Sequence, residues 1–311
     1  MKVLFMGTPD FAVSTLDKLI QSHHEIIGVV TQPDKPKGRG NNLSAPPVKE
    51  LALKHNLTIY QPVKVRDKEF VDKVRQLDPD VIVVAAFGQI LPKDLLDIPQ
   101  YGCINVHASL LPKYRGAAPI QYSIIDGEDK TGITIMYMDE GLDTGDIILQ
   151  EELEIASDET GGSLFDKMAV LGANLLLKAL VQLENGTSKR IPQDDSKATY
   201  VKMIKKEMGH IDFAKPAVEI ERLIRGLNPW PSAYTHYEGK SLKIWSAEVV
   251  STDIKAEPGD VIEIRKDAFI VMTGEGALAV KELQLEGKKR MATEAFLRGN
   301  NLAPGTKLGK E

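Results

Sequence analysis

The stretch from Gly102 to Pro119 constrains the fold of this 311-residue chain more than any other. Residues 103–107 are apolar apart from one amide and one imidazole, a composition typical of a buried strand. Pro112 lacks a backbone donor and Gly116 permits a tight turn, so strand pairing should end before them. Residues 117–125 have the composition of a helix. The stretch therefore predicts a strand, a loop and a helix in succession, the unit of an α/β fold.

The same succession recurs along the first half of the chain. An apolar run from Lys2 to Met6 ends at the turn 7–10, after which apolar residues return at helical spacing. Further strands are predicted at 25–31, 58–61 and 80–87, and further helices at 46–57 and 67–77. These elements predict a doubly wound, mostly parallel, Rossmann-like sheet. The first turn lacks the G-x-G-x-x-G spacing of dinucleotide sites, so no NAD is expected.

The second half of the chain contains the last elements of the first domain and then a smaller second domain. Strands are predicted at 131–138 and 146–153 and a helix at 160–183, after which the hydrophobic rhythm fails. We therefore predict a first domain at 1–189, a linker at 190–208 and a second domain at 209–311. In the second domain, about five short apolar segments separated by glycine turns predict a small antiparallel barrel.

The composition excludes several classes of protein. Cys103 is the only cysteine, so no disulfide can form within the chain and an all-cysteine zinc site is excluded. No apolar run is long enough to cross a bilayer, and the strand that begins at Lys2 leaves no room for a signal peptide, so a cytoplasmic protein without membrane contact is expected. The protein is also expected to be a monomer. The formal net charge of −5 argues against a surface built throughout for nucleic acid.

Chemistry is predicted where the central strand ends. Alternation along a strand places Asn105 and His107 on one face, and the glycine-rich loop 139–145 carries three carboxylates. An amide can donate to a developing oxyanion, an imidazole can move a proton, and a carboxylate can fix the tautomer of that imidazole. Neither Ser109 nor Cys103 lies in a pattern that activates a nucleophile, so the nucleophile should belong to a substrate. The alternative is that these are ordinary hydrogen-bonding groups of a strand.

No metal site is predicted. The chain has no H-x-x-x-H or C-x-x-C spacing, and adjacent histidines such as His23 and His24 point in different directions on most backbones. Both are therefore expected to face solvent.

Several motifs give the chain a family resemblance. They are INVH at 104–107, SLLP at 109–112, RGAAPI at 115–120 and DEGLDTGD at 139–146. Together they resemble the folate-dependent formyltransferases, in which 10-formyltetrahydrofolate donates a formyl group to an amine. The resemblance implies a catalytic set of Asn105, His107 and Asp143. It also implies folate contacts at Phe87, Gly88, Ile90, Ser109, Leu110, Leu111, Pro112, Asp139 and Leu142.

Further motifs narrow the resemblance to those members that act on methionine esterified to initiator tRNA. These are FMGTPDFA at 5–12, the cationic loop 32–40 and NPWP at 228–231. The second domain is then similar to an oligonucleotide-binding (OB-like) barrel, and tRNA contacts are implied at Lys37, Arg39, Lys205 and Lys206. The chain departs from many relatives at Asn41-Asn42, where lysines are frequent, and at Lys113-Tyr114.

Other functions remain open at this point. A formyltransferase acting on an amino sugar nucleotide or on glycinamide ribonucleotide would share the catalytic core. A noncatalytic RNA-binding protein would need only the barrel.

Overall fold

The computed structural model describes residues 1–37 and 42–309, which form two compact units. The first unit comprises Met1–Pro119, Lys130–Glu154 and Phe165–Val201. The second comprises Ile120–Asp129, Ile155–Leu164 and Lys202–Glu311.

Strands and helices alternate through the first part of the chain. The strands are β1 (Lys2–Gly7), β2 (Glu25–Val30), β3 (Lys35–Lys37), β4 (Asn42–Ser44), β5 (Ile59–Tyr60), β6 (Val81–Ala85), β7 (Cys103–His107), β8 (Arg115–Gly116), β9 (Lys130–Tyr137), β10 (Ile147–Glu154) and β11 (Tyr200–Val201). The helices are α1 (Asp10–Ile20), α2 (Pro47–Lys54), α3 (Lys68–Leu77), α4 (Lys93–Leu96), α5 (Pro119–Ile125) and α6 (Gly161–Glu184). No helix of the described residues is long and apolar enough to cross a membrane.

A seven-stranded sheet organises the first unit, in the order β10-β9-β7-β6-β1-β2-β5. Five strands run parallel, while β9 pairs antiparallel with both β7 and β10. The chain winds outward from β1 through β2 to β5 and then returns to β6 on the other side. The strand order thus reverses between β1 and β6, where open α/β sheets bind ligands beyond the carboxyl ends. The predicted doubly wound fold is confirmed.

The sheet is held by a continuous apolar core. All five residues of β6 are buried, as are all residues of β1 after Lys2. Such strands, covered on both faces, read in sequence as uninterrupted apolar runs rather than as alternation. The central strands are therefore rigid supports for whatever their carboxyl ends carry.

From residue 202 onwards, the described residues of the second unit form an antiparallel sheet and two α-helices. Its elements are α7 (Ala217–Gly226), β12 (Ala233–Tyr237), β13 (Lys240–Val250), β14 (Val261–Ile264), β15 (Phe269–Met272), β16 (Ala277–Leu285), β17 (Met291–Ala292) and α8 (Thr293–Leu297). The strand order is β12-β13-β16-β15-β14, with β17 on β16. The five predicted strands are all present, and the expectation of an antiparallel sheet domain is confirmed.

The segment predicted as a linker, 190–208, is structured in part. It contains 3₁₀ helices at Asp195–Lys197 and Lys206–Gly209, and β11 pairs in parallel with β8. Residues up to Val201 consequently belong to the first unit.

The two adjacent histidines differ from the sequence expectation. His23 is exposed, but His24 is only 8% exposed, and both imidazoles lie beside Glu184 at the end of α6. The expectation that both face solvent is wrong for His24, because a partner 160 residues away in sequence covers it.

Candidate active site

Asn105 and His107 lie at the carboxyl end of β7, two residues apart and on one face of the strand. The amide of Asn105 is half-buried and makes no hydrogen bond to any described residue. His107 is buried at 6% exposure. The strand end therefore presents one uncommitted amide beside one enclosed imidazole.

The ring of His107 lies between a carbonyl and a carboxylate. Its Nε2 is 3.0 Å from the carbonyl oxygen of Tyr114, and because a carbonyl only accepts, Nε2 carries a proton and donates it. Its Nδ1 lies 3.7 Å from Oδ1 of Asp143. That distance exceeds a hydrogen bond. The structure thus brings together the predicted His107 and Asp143.

Two hydrogen bonds, one to its side chain and one to its carbonyl, hold Asp143 in an uncommon conformation. Its φ of 53° lies in the left-handed region, which a non-glycine residue adopts at a cost. Its Oδ2 accepts a hydrogen bond from the backbone N of Gly116 at 2.9 Å, and its carbonyl accepts one from Nε2 of Gln193 at 2.8 Å. Gln193 donates equally to the carbonyl of Gly145. One glutamine side chain therefore fastens the loop that carries Asp143.

Arg115 in turn holds Gln193 in place. Its side chain is 1% exposed, and its guanidinium donates to Oε1 of Gln193, to Asp195 and to the hydroxyl of Tyr200. A buried guanidinium must be satisfied in this way, because an unpaired buried charge is costly. In the sequence, Arg115 stands out only as part of the motif at 115–120, and nothing marks Gln193 as a functional residue.

The predicted folate segment 109–112 is pinned against β9 and β10. Ser109 is fully buried, and its hydroxyl donates to the carbonyl of Lys113 at 2.6 Å. Thr134 donates to the carbonyl of Ser109 and accepts from the backbone N of Leu111, while Gln150 donates to the carbonyl of Leu111. Leu111 is buried, whereas Leu110 and Pro112 are half-buried. No motif or periodicity of the sequence pointed to Thr134 or Gln150.

The other predicted folate contacts lie on two loops. After β6, Phe87 is buried in the core and its carbonyl accepts from Thr8, while Gly88 is exposed and Ile90 is 82% exposed. On the loop before β10, Leu142 is 55% exposed and the carboxylate of Asp139 accepts from Thr144 and from the backbone of Gly141. Phe87 can therefore meet a ligand only through its backbone.

A cavity of about 460 Å³ opens beside the acidic loop, residues 139–145, and its volume is within the usual range of small-molecule sites. It is lined by Lys93, Leu96, Asp97, Met138, Asp139, Glu140 and Gly141. Of the predicted folate contacts, Asp139 lines it.

The predicted tRNA contacts lie on two different segments of the chain. Lys205 and Lys206 are exposed, at the start of the 3₁₀ helix of the second unit. The backbone of Lys37 ends β3, and Arg39 lies outside the described residues.

Comparison with known proteins places these features in a family. The family described as Formyl transferase matches residues 1–180, and the family described as Formyl transferase, C-terminal domain, matches residues 203–301. A protein named methionyl-tRNA formyltransferase from Agathobacter rectalis is 56% identical over 98% of this chain and 99% of its own length.

Solved structures share the fold at lower identity. WlaRD, a sugar 3N-formyl transferase solved in the presence of dTDP and 5-N-formyl-THF, is 22% identical with a TM-score of 0.68, covering 93% of this chain and 99% of its own. HypX from Aquifex aeolicus in complex with tetrahydrofolic acid is 17% identical with a TM-score of 0.61, covering 96% of this chain. The chain spans about half of HypX, 47% of its length.

Proposed function

Because this chain belongs to the formyl transferase family, we propose that it transfers the formyl group of 10-formyltetrahydrofolate to the amino group of methionine esterified to initiator tRNA. The observation that carries the proposal is the identity of 56%, end to end, with a relative named for this reaction. The product, N-formylmethionyl-tRNA, initiates translation, so we assign the protein to the cytoplasm. We further propose that it acts as a monomer.

A related transferase acting on an amino sugar nucleotide is the second candidate. The sugar 3N-formyl transferase WlaRD shares the fold but only 22% of the sequence. Such a likeness supports the fold and not the acceptor. The identity therefore favours tRNA over a sugar nucleotide.

The proposed chemistry begins with attack of the neutral amine on the formyl carbon. A nitrogen–carbon bond forms, and the formyl oxygen becomes an oxyanion that needs donors. The uncommitted amide of Asn105 can donate to that oxygen. Preorganised donors of this kind lower the barrier because they need not reorient when charge develops.

His107 and Asp143 would complete the transfer. The attacking nitrogen loses a proton, the bond between the formyl carbon and N10 of the folate breaks, and N10 gains a proton. An imidazole enclosed beside a carboxylate 3.7 Å away can support positive charge during this exchange. The contact from Gly116 to Asp143 keeps that carboxylate in place.

The loops around the carboxyl ends of β6 and β7 also offer surfaces for the folate donor. Leu110, Leu142 and Ile90 provide accessible apolar surface, and we propose that Gly88, Pro112 and Asp139 complete the site. The side chains of Phe87, Ser109 and Leu111 are buried, so we propose that these residues meet the folate through backbone atoms, although each of their carbonyls already accepts a hydrogen bond within the protein. Backbone donors and acceptors suit the polar edge of a pterin.

Recognition of tRNA would rest on local cations, since the net charge of the chain is −5. Lys205 and Lys206 are exposed cations in the second unit, and Lys37 and Arg39 would add to them from the loop 34–42. Such contacts act on phosphates and weaken with salt.

An acceptor panel tests the proposal. The protein is incubated with 10-formyltetrahydrofolate and, separately, methionyl initiator tRNA, uncharged initiator tRNA, glycinamide ribonucleotide and a dTDP-linked amino sugar. We expect formylation of the charged tRNA alone. Formylation of the sugar nucleotide in preference to the tRNA would replace the proposal with the second candidate.

A further inference from the structure

A cluster of side chains with potential metal ligands, two imidazoles and a carboxylate, lies at the amino ends of the parallel strands, opposite the candidate active site. His23 and His24 precede β2 and Glu184 ends α6, whereas His107 ends β7. Since β1, β2, β6 and β7 are parallel, the amino ends of these strands face away from the site described above. Formyl transfer gives this cluster no role.

We propose that His23, His24 and Glu184 form a binding site for a divalent first-row transition-metal ion, with Zn²⁺ as the ion to test. Within the described residues, this is the one group of three or more potential ligands whose donor atoms all lie within 4.8 Å of one another. Two imidazoles and one carboxylate match a donor set that zinc takes in proteins, with the fourth position open to water.

The spacing of the donor atoms supports the assignment. Zinc bonds to nitrogen and oxygen at about 2.0–2.2 Å, so neighbouring ligands of a tetrahedral ion lie about 3.3–3.5 Å apart. Nδ1 of His24 lies 3.3 Å from Oε1 of Glu184. Nε2 of His23 lies 3.3 Å from the same oxygen and 3.0 Å from Oε2. Both nitrogens therefore lie at about the ligand-to-ligand distance from the carboxylate, and they lie within 4.8 Å of each other.

The environment of Glu184 favours a cation. It is the last residue of α6, where the helix dipole disfavours a carboxylate, and the last turn of this helix has no basic residue. The amine of Met1 donates to Oε1 at 3.2 Å and lies 3.5 Å from Nδ1 of His24, so an incoming ion has to share Oε1 with this ammonium and displace it from Nδ1. Four lone-pair directions on one carboxylate leave room for a further cation.

The side chains also provide access and rigidity. The side chain of His24 is 1% exposed, so it is held by packing, whereas that of His23 is 66% exposed and leaves the cluster open to solvent. The ring centroids lie 4.1 Å apart. The alternative is a set of hydrogen bonds from two histidines to one carboxylate, with no metal affinity.

Zinc titration by isothermal calorimetry decides between these. The full chain, free of any affinity tag and stripped with a chelator, is compared with His23→Ala, Glu184→Gln and the control His55→Ala, which removes an exposed histidine elsewhere in the first unit. We expect one equivalent of Zn²⁺ to bind the parent chain and the control equally. Each cluster variant should weaken affinity at least about tenfold.

Other outcomes overturn the site. These are an absence of stoichiometric binding by the parent chain, unchanged affinity in both cluster variants, or equal loss in His55→Ala. Circular dichroism of each variant establishes that a loss of affinity does not arise from unfolding. His23→Ala is the informative variant here, because its exposed side chain contributes little to packing.

Discussion

Replacing Gln193 with leucine tests how the protein holds Asp143. The side-chain amide donates to the carbonyls of Asp143 and Gly145, each at 2.8 Å. At about 1 kcal/mol net for each bond, losing both costs about 2 kcal/mol. Since about 1.4 kcal/mol corresponds to a factor of ten, the loop would leave its active geometry up to about 30-fold more often.

We therefore expect Gln193→Leu to lower kcat by about 10- to 30-fold while leaving KM for the tRNA unchanged. Leucine also removes two hydrogen bonds that Arg115 donates, so four bonds are lost in all and the free energy of unfolding should fall by about 4 kcal/mol or more. Steady-state kinetics and urea denaturation measure the two effects. Gln21→Leu, which removes a surface hydrogen bond to Asp17, is the matched control.

A double-mutant cycle with Asp143→Asn separates positioning from general destabilisation. If Gln193 acts through Asp143, its replacement should cost little further activity once the carboxylate is gone. Full loss on top of Asp143→Asn, or a kcat equal to that of the parent chain in Gln193→Leu, would refute the reasoning.

Three further predictions rest on local features. Gly116→Ala should reduce the free energy of unfolding by about 2 kcal/mol or more, because φ is 112° and a Cβ would lie 2.3 Å from the carbonyl oxygen of Val201. The control Gly186→Ala has φ 65° but no atom within 4 Å of its Cβ, so it should lose less stability in the same urea titration, and equal losses would contradict the clash. Burial raises the pKa of the Cys103 thiol to about 12, so at pH 8 a maleimide should label it only after denaturation, and rapid labelling of the native protein would show an accessible thiolate. Replacing Lys205 and Lys206 by glutamine should reduce the slope of log affinity for tRNA against log salt by about one per lysine, and an unchanged slope would place both outside the interface.

Much of the fold could be predicted because it depends on local patterns. The apolar runs of β1 and β6, with the glycine and proline turns that follow them, determine where the parallel strands end. The pairing of β8 with β11 could not be predicted, because two-residue strands about 85 positions apart leave no periodic signal. The same limit explains why the segment up to Val201 was expected to be a linker.

The residues of the candidate site were likewise predictable only where they depend on a local pattern. Asn105 and His107 share one strand, so alternation alone placed them on one face. The approach of Asp143 needed the resemblance, and Gln193 stayed hidden, because its bonds to the acidic loop span about 50 positions of sequence. The burial of His24 by Glu184 was missed for the same physical reason. Sequence patterns predict contacts within an element and rarely those between distant loops.

Single-turnover transfer by Asn105→Ala, His107→Ala and Asp143→Asn tests the proposed catalytic set most directly. With enzyme in excess over methionyl initiator tRNA and saturating 10-formyltetrahydrofolate, the account predicts that each variant binds tRNA as the parent chain does and transfers formyl at least about 100-fold more slowly. Transfer at the parental rate by any one of the three would contradict the assignment of that residue to the chemistry.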